Sequence, residues 1–159
     1  QKLARLLVEE RGYARHQIEP RRPLLLQAGE QQGRIFVDLV VRLSGRAAMI
    51  VQYGPGSLVS RHRPALGISR LIEPYQVPVV VVTNGENADV LDGFTGKSRG
   101  SGLKAIPSRE ELEQIVRDAD LAPIASRRVE VESRIVFAFE IDCSCSPESK
   151  MCPSGFGRR

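Results

Sequence analysis

Two short apolar segments on either side of a helical segment restrict the fold more than any other feature of this sequence. Residues 47–53 (AAMIVQY) and 77–83 (VPVVVVT) have the length and the β-branched content of buried strands. The segment between them, residues 60–74, is predicted to be a helix capped by Ser60. Because a strand–helix–strand unit within one sheet forms a right-handed crossover, the two strands are predicted to be parallel.

A preceding strand makes the predicted sheet mixed. Residues 34–43 (RIFVDLVVRL) are separated from the strand at 47–53 by a short turn, which predicts an antiparallel hairpin. Additional strands are predicted at 23–28 and 88–92. The chain is therefore predicted to form an α/β sandwich around a mixed sheet.

Helices are predicted before and after the strands. The first helix begins the sequence and ends near Gly12, and the last, amphipathic helix covers residues 125–140. Ser108 and Glu111 have the spacing of a capping box at the start of a further helix. These patterns divide the chain into a domain of residues 1–118, a helical extension at 119–142 and a flexible tail at 143–159.

The composition restricts the classes of function. With 42% apolar and 26% charged residues, the chain has the make-up of an ordinary globular protein. Its formal charge of +4 gives a weak preference for polyanions, and the low aromatic content, without tryptophan, disfavours a stacking platform for single-stranded bases. The longest strongly apolar run, residues 77–82, is too short to cross a membrane.

Three cysteines lie close together near the C-terminus, at Cys143, Cys145 and Cys152. An odd, clustered number is atypical of a secreted disulfide framework and indicates a reducing compartment, so a cytoplasmic protein is predicted. Three ligands at this spacing are too few for a structural zinc site, and free thiols are predicted instead.

One acid interrupts the predicted strand at 34–43. Asp38 lies within an apolar run, although an ionised carboxylate is rarely buried unless it is paired or binds a metal. In the predicted hairpin, Asp38 and Gln52 are at similar distances from the turn. The two side chains are therefore expected to lie opposite one another near the open end of the hairpin.

Two interpretations of this pair remain open from the residues alone. In the first, Asp38 forms an ion pair with Arg42 or Arg34, and Gln52 hydrogen-bonds to the sheet edge. In the second, the carboxylate and amide oxygens bind a hard divalent cation. The glycine-rich segment 54–56 would then let a phosphate approach the main chain.

Three segments of the sequence resemble a known nuclease family. They are QKLARLLVEERGYARHQIEP, RIFVDLVVRLSGRAAMIVQYGPGS and VPVVVVTNGENADVLDGFTG, and together they span about residues 1–118. In order and spacing they are similar to the N-terminal nuclease domain of type I restriction enzyme motor (R) subunits, within the PD-(D/E)xK superfamily. The resemblance implies a restriction-endonuclease-like three-layer sandwich with an αβββαβ core and additional C-terminal helices.

The resemblance also implies a site on the second and third strands. The superfamily uses an Asp, matched here by Asp38, and a Glu-x-Lys motif to bind Mg²⁺ or Mn²⁺ and activate water. That motif aligns with Gln52, Tyr53 and Gly54, so both of its charged residues are replaced. The implied ligands are Asp38, Gln52 and a backbone carbonyl of Gln52 or Tyr53. Glu19, at the end of the first helical region, matches an acidic position that completes such sites.

Arginines near the aligned motif are candidates to bind phosphate in place of the missing lysine. Arginine clamps phosphate but cannot act as a base at neutral pH. The candidates are Arg22, Arg61, Arg63 and Arg70. His62, among them, is interpreted as a surface histidine.

Two hypotheses for the function follow. The first is a stand-alone, divalent-metal-dependent DNA endonuclease related to the R subunits, with an activity weakened by the replaced motif residues. The second is a non-catalytic module on the same fold that binds nucleic acid or a protein partner. DNA is the predicted partner, and the sequence is compatible with a homodimer.

Overall fold

The computed structural model describes residues 2–141, which fold into a six-stranded sheet covered by helices on both faces. The helices are α1 (Lys2–Glu9), α2 (Val59–Ser69), α3 (Arg109–Asp118) and α4 (Ser126–Glu140). The strands are β1 (Ile18–Ala28), β2 (Gln31–Leu43), β3 (Arg46–Tyr53), β4 (Val79–Thr83), β5 (Ala88–Asp92) and β6 (Ser98–Ser101). Short 3-10 turns lie at Arg15–Gln17 and Leu103–Ala105. The predicted α/β sandwich and its αβββαβ order are confirmed.

The sheet is mixed, with its strands in sequence order from β1 to β6. The pair formed by β3 and β4 is parallel and joined by α2, whereas every other neighbouring pair is antiparallel. Ser44 and Gly45, which connect β2 to β3, both have positive φ angles, of 50° and 78°. A two-residue turn with this backbone matches the right-handed twist of the strands that it joins.

Two apolar cores lie on opposite faces of the sheet. On one face α2 and α4 pack over β1 to β5, with Ile50, Ile68 and Val136 fully buried. On the other face α1 and α3 pack over β2 to β5 around Leu7 and Leu112. All five residues of β4 are buried, as expected for a strand covered on both faces.

The first strand is longer than the sequence indicates. We predicted it at residues 23–28, but β1 begins at Ile18 and contains Pro20 and Pro23. Proline is tolerated there because β1 is an edge strand, whose outward-facing positions need no backbone N–H. Consequently Glu19 lies within β1, and its predicted place at the end of the first helical region is wrong.

The central helix also differs from its prediction. It ends at Ser69 instead of residue 74, and the amide of Val77 donates to the carbonyl of Ser69 to close the turn toward β4. Ser60 does not cap the helix, because the N-cap position is Leu58 and the Ser60 hydroxyl donates to the carbonyl of Ser57.

The C-terminal helices agree with the sequence patterns. The Ser108 hydroxyl accepts a hydrogen bond from the amide of Glu111, and the Glu111 carboxylate accepts one from the amide of Ser108, which confirms the capping box. Helix α4 lies where the last helix is predicted. The domain boundary at residue 118 stays a prediction, and the predicted cysteine-containing tail lies outside the described residues.

Between residues 2 and 141, the structure contains no helix that is both long and apolar enough to span a bilayer.

Tyr13 gives a test of the packing between the loop that follows α1 and the segment before α3. Its side chain is buried, and its hydroxyl donates to the carbonyl of Pro107 at 2.8 Å. Replacing Tyr13 by Phe leaves that carbonyl without its donor, so we expect the free energy of unfolding to fall by about 1 kcal/mol. Urea denaturation measures the change. Tyr75→Phe is the control, because its longer bond, 3.3 Å to Ala47, should contribute less; an equal loss in both variants would contradict the assignment.

Candidate active site on strands β2 and β3

The structure brings Asp38 and Gln52 together at the open end of the β2–β3 hairpin. Leu39 pairs with Val51, and one further step of the same register places Asp38 opposite Gln52. The amide of Asp38 donates to Gln52 Oε1 at 3.1 Å, and the amide of Tyr53 donates to Asp38 Oδ2 at 2.8 Å. The predicted juxtaposition of the two side chains is therefore present.

These bonds also show what the two side chains do for the fold. Asp38 and Gln52 each accept from the opposite strand just beyond the last backbone pairs, so they extend the contact between β2 and β3. Among the described residues, Asp38 Oδ1 accepts no further hydrogen bond, which leaves one carboxylate oxygen for a ligand.

The ion-pair interpretation of Asp38 is wrong. Arg42 binds Glu19 and Glu73, at 3.0 and 2.6 Å, and Arg34 lies over the ring of Phe36, 5.5 Å from its centroid. The same interpretation also has Gln52 hydrogen-bonded to the sheet. This part is confirmed, since Gln52 Oε1 accepts from the amide of Asp38 on β2.

Arg61 occupies the space in which the side chain of residue 54 would begin. Gly54 follows β3, and a Cβ atom built on it would overlap the Arg61 guanidinium. Arg61 lies in the first turn of α2, which starts after the loop at 54–58 and returns across the sheet. A cation from the helix therefore lies over position 54, directly after the end of β3.

Helix α4 packs on α2 and ends at Glu140. The two helices run antiparallel, since Arg70 binds Glu132 and Gly67 lies against Val136. Burial raises the pKa of the Glu140 carboxyl, while the charge of Arg61 lowers it and that of Asp38 raises it.

A family comparison agrees with this arrangement of elements. Residues 1–107 match the family model described as type I restriction enzyme R protein N terminus (HSDR_N). The chain belongs to this family. No curated protein and no solved structure matches it significantly. In this R-protein N-terminal domain, Asp38, Gln52 and Arg61 lie within the matched residues, whereas Glu140 lies beyond them.

Glu19 is held by arginines in the R-protein domain. Its carboxylate accepts from Arg22 and Arg42, each at 3.0 Å, and it lies opposite Val40 on β2. Burial raises the pKa of Glu19, but the hydrogen bonds from the two arginines outweigh this effect and lower it. Both Glu19 and Arg22 are therefore already paired in this structure.

Two other predicted phosphate ligands belong to a buried ionic cluster. Arg63 and Arg70 bind the two oxygens of Glu132, at 2.7 and 3.0 Å, and Glu132 is only 3% exposed. Burial lowers the pKa of Arg70, which also donates to Gln76. The cluster therefore joins α2 to α4, and both arginines are already paired in this structure.

His62 has a partner that the sequence did not reveal. Its Nε2 lies 2.9 Å from Asp89 on β5, and the same carboxylate accepts from Ser101 on β6. The contact fixes the ring against the sheet, so His62 is not a freely solvated surface histidine.

The donors at the Asp38 site are oxygen atoms. Between residues 2 and 141, no three His, Cys, Asp or Glu side chains form a group that could hold a metal ion. The donors that the hairpin brings together are the carboxylate of Asp38, the amide oxygen of Gln52 and nearby backbone carbonyls. Mg²⁺ binds oxygen ligands and commonly uses one or two carboxylates together with several waters.

Proposed function

We propose that this R-protein N-terminal domain is a nuclease of the PD-(D/E)xK type that hydrolyses phosphodiester bonds in DNA with bound Mg²⁺ or Mn²⁺. The observation that carries the proposal is the position of the Arg61 guanidinium over Gly54, next to the pair of Asp38 and Gln52. The replaced motif lysine thus has a cationic substitute in space. Without that substitute, a strand with Gln52 and Gly54 would have no charged group at either motif position.

Each residue of the site has a distinct role in the proposed reaction. Asp38 and the Gln52 oxygen would hold the cation, which would supply Lewis-acid polarisation of the phosphate and activation of water. Arg61 binds a non-bridging phosphate oxygen and stabilises the charge that develops there. The water oxygen forms a bond to phosphorus, one phosphorus–oxygen ester bond breaks, and the departing oxygen takes up a proton. One phosphate monoester end and one hydroxyl end result.

A second candidate function is supported by the hydrogen bonds of the same pair. Because one oxygen of Asp38 and the acceptor of Gln52 already bind main-chain amides, the pair also serves as a structural link between β2 and β3. A domain in which this is the whole role would bind DNA or a protein partner without cleaving it. Salt-dependent DNA binding without cleavage is the expected behaviour of this alternative.

Incubation with DNA separates the two functions. The protein is mixed with plasmid, linear duplex and single-stranded DNA in the presence of Mg²⁺, Mn²⁺ or EDTA, and products are resolved on gels. We expect cleavage that requires the metal and falls to background in Asp38→Asn, because the variant loses the charged ligand.

Asp118→Asn is the matched control, because Asp118 is an exposed carboxylate on α3, on the other face of the sheet. Cleavage that persists in Asp38→Asn would place the activity elsewhere or in a contaminant. Absence of cleavage by the native protein, with retained binding of DNA, would favour the non-catalytic module.

A further inference from the structure

Exposed side chains lie on β2 directly before Asp38. Arg34 and Phe36 alternate with Ile35 and Val37, whose side chains pack into the core, so Arg34 and Phe36 point outward. Asp38 is the next position in this alternation, about 7 Å further along the strand than Phe36. An exposed aromatic ring and an exposed cation therefore lie on the strand that carries the proposed site.

Arg21 of the edge strand reaches the same ring. It lies opposite Asp38, because the residues on either side of it pair with the residues on either side of Asp38. The Arg21 guanidinium is 4.8 Å from the centroid of the Phe36 ring, and the Arg34 guanidinium is 5.5 Å from it. The ring is 41% exposed and both arginines are exposed. Arg21, Phe36 and Arg34 together form what we call the Phe36 surface.

The two cations of the Phe36 surface are not neutralised by acids. Within residues 2–141, neither Arg21 nor Arg34 forms an ion pair, although Arg22 and Arg42 of the same two strands both bind Glu19. A guanidinium that stacks on an aromatic ring keeps its N–H donors in its own plane, in the fork that suits phosphate. The Phe36 surface therefore has charge and donors available for an anionic ligand.

The backbone at Arg21 has an unfavourable conformation. Its φ angle is 51°, in the left-handed region that non-glycine residues rarely adopt. Glycine adopts this conformation without strain. An arginine here costs stability relative to glycine, as is found where a side chain serves binding instead of the fold.

We propose that Arg21 and Arg34, held on the Phe36 ring, bind phosphates of the DNA strand that passes the Asp38 site. This inference rests on the proposed nuclease function, since it concerns the same DNA strand. The unpaired positive charge fits a polyanion, and the position beside the phosphodiester site favours DNA over an acidic protein segment. Arg21 binds a phosphate close to the one at Asp38, and Arg34, about 14 Å from Asp38 along β2, binds one further along the DNA.

Binding of a fluorescent duplex DNA, measured by anisotropy in EDTA at several salt concentrations, tests the inference without cleavage. We expect Arg21→Gly and Arg34→Ala each to weaken binding about fivefold to tenfold at about 0.1 M salt. Each should also reduce the slope of log affinity against log salt concentration by about one, because one phosphate contact is lost. Arg46→Ala is the control and should change neither value, since Arg46 is an exposed arginine at the turn end of the β2–β3 hairpin.

Two measurements separate binding from folding. Arg21→Gly should unfold at the native urea concentration or above, because it removes the unfavourable φ angle. Phe36→Leu keeps both charges and most of the apolar bulk but removes the aromatic face that positions the guanidiniums. It should weaken binding about twofold to fivefold with an unchanged salt slope, the size of an exposed cation–π contact.

The outcomes distinguish this inference from the proposed function. DNA binding that is as tight in Arg21→Gly and Arg34→Ala as in Arg46→Ala overturns the role of the Phe36 surface, whereas metal-dependent cleavage that is lost in Asp38→Asn still supports the nuclease. Weaker binding in both variants of a protein that cleaves no DNA supports the phosphate contacts and overturns the nuclease. Displacement of the DNA by poly-glutamate of equal charge and at equal concentration would assign the surface to acidic proteins and overturn the choice of DNA.

Discussion

Replacing Glu132 by alanine is expected to lower the free energy of unfolding by about 3–5 kcal/mol, since it removes one partner of a buried ion pair. Glu132 is 3% exposed and Arg70 is 9% exposed, so the variant leaves a buried guanidinium without its counter-charge. Urea denaturation followed by circular dichroism measures the loss. Glu130→Ala, on the exposed side of the same helix, should cost less than about 0.5 kcal/mol.

The size of this loss in stability depends on how far Arg70 is shielded from water and not on the number of ion pairs that Glu132 forms. Arg63 and Arg128 also approach Glu132, at 2.7 and 3.6 Å, but their side chains are 43% and 58% exposed and remain hydrated when Glu132 is lost. Arg70 has no such access to water. A loss below about 1 kcal/mol would show that water reaches Arg70 and that α4 is held mainly by its apolar contacts.

The strands of the interior were predictable from the sequence, but the edges of the sheet were not. β3 and β4 are buried on both faces and consist of apolar runs, so their pattern alone identifies them. β6 was not predicted, because Ser98–Ser101 is polar and pairs only with β5 at the sheet edge. The start of β1 was also missed because β1 is an edge strand, where prolines that would end an interior strand are tolerated.

Half of the candidate site was predictable for a geometric reason. Asp38 and Gln52 are at similar distances from the hairpin turn, so strand alternation predicts that they lie near each other. A β-bulge between the turn and the site shifts the register by one residue, and this shift places the two residues directly opposite one another. Arg61 was one of several candidates on α2, and only the packing of its guanidinium on Gly54 distinguishes it from Arg63 and Arg70.

The packing of α4 on α2 carries no local signal in the sequence, because it joins elements that are far apart in the chain. The pairing of His62 with Asp89 was missed for the same reason, since it joins a helix to a strand two elements later.

Removing the positive charge of Arg61 from α2 is expected to slow DNA cleavage. Placing a positive charge at position 54, directly after β3, is expected to restore it. Under the proposed nuclease function, Arg61→Ala should lower the rate of cleavage by about 10²–10³-fold, the usual effect of deleting one group that stabilises transition-state charge. Gly54→Ala should lower the rate as well, because its methyl group displaces the guanidinium from its present position.

These two variants separate function from folding. The three atoms nearest to the methyl group that Gly54→Ala introduces all belong to the flexible end of Arg61, and the φ angle of Gly54 is not positive. This variant should therefore unfold at nearly the native urea concentration. Arg117→Ala, an exposed change on α3, is the control for loss of one positive charge. An unaltered cleavage rate in both Arg61→Ala and Gly54→Ala would show that this guanidinium does not contact the reacting phosphate.

The decisive variant is Gly54→Lys combined with Arg61→Ala. Arg61→Ala removes the three atoms nearest to a side chain at residue 54, and a lysine there projects two residues after Gln52, on the same face. Cleavage should recover relative to Arg61→Ala alone, whereas Gly54→Lys with Arg61 retained places two cations in one space and should recover less. Recovery would establish that position 54 and Arg61 share one role, because a merely structural arginine could not be replaced by a cation attached to a different element.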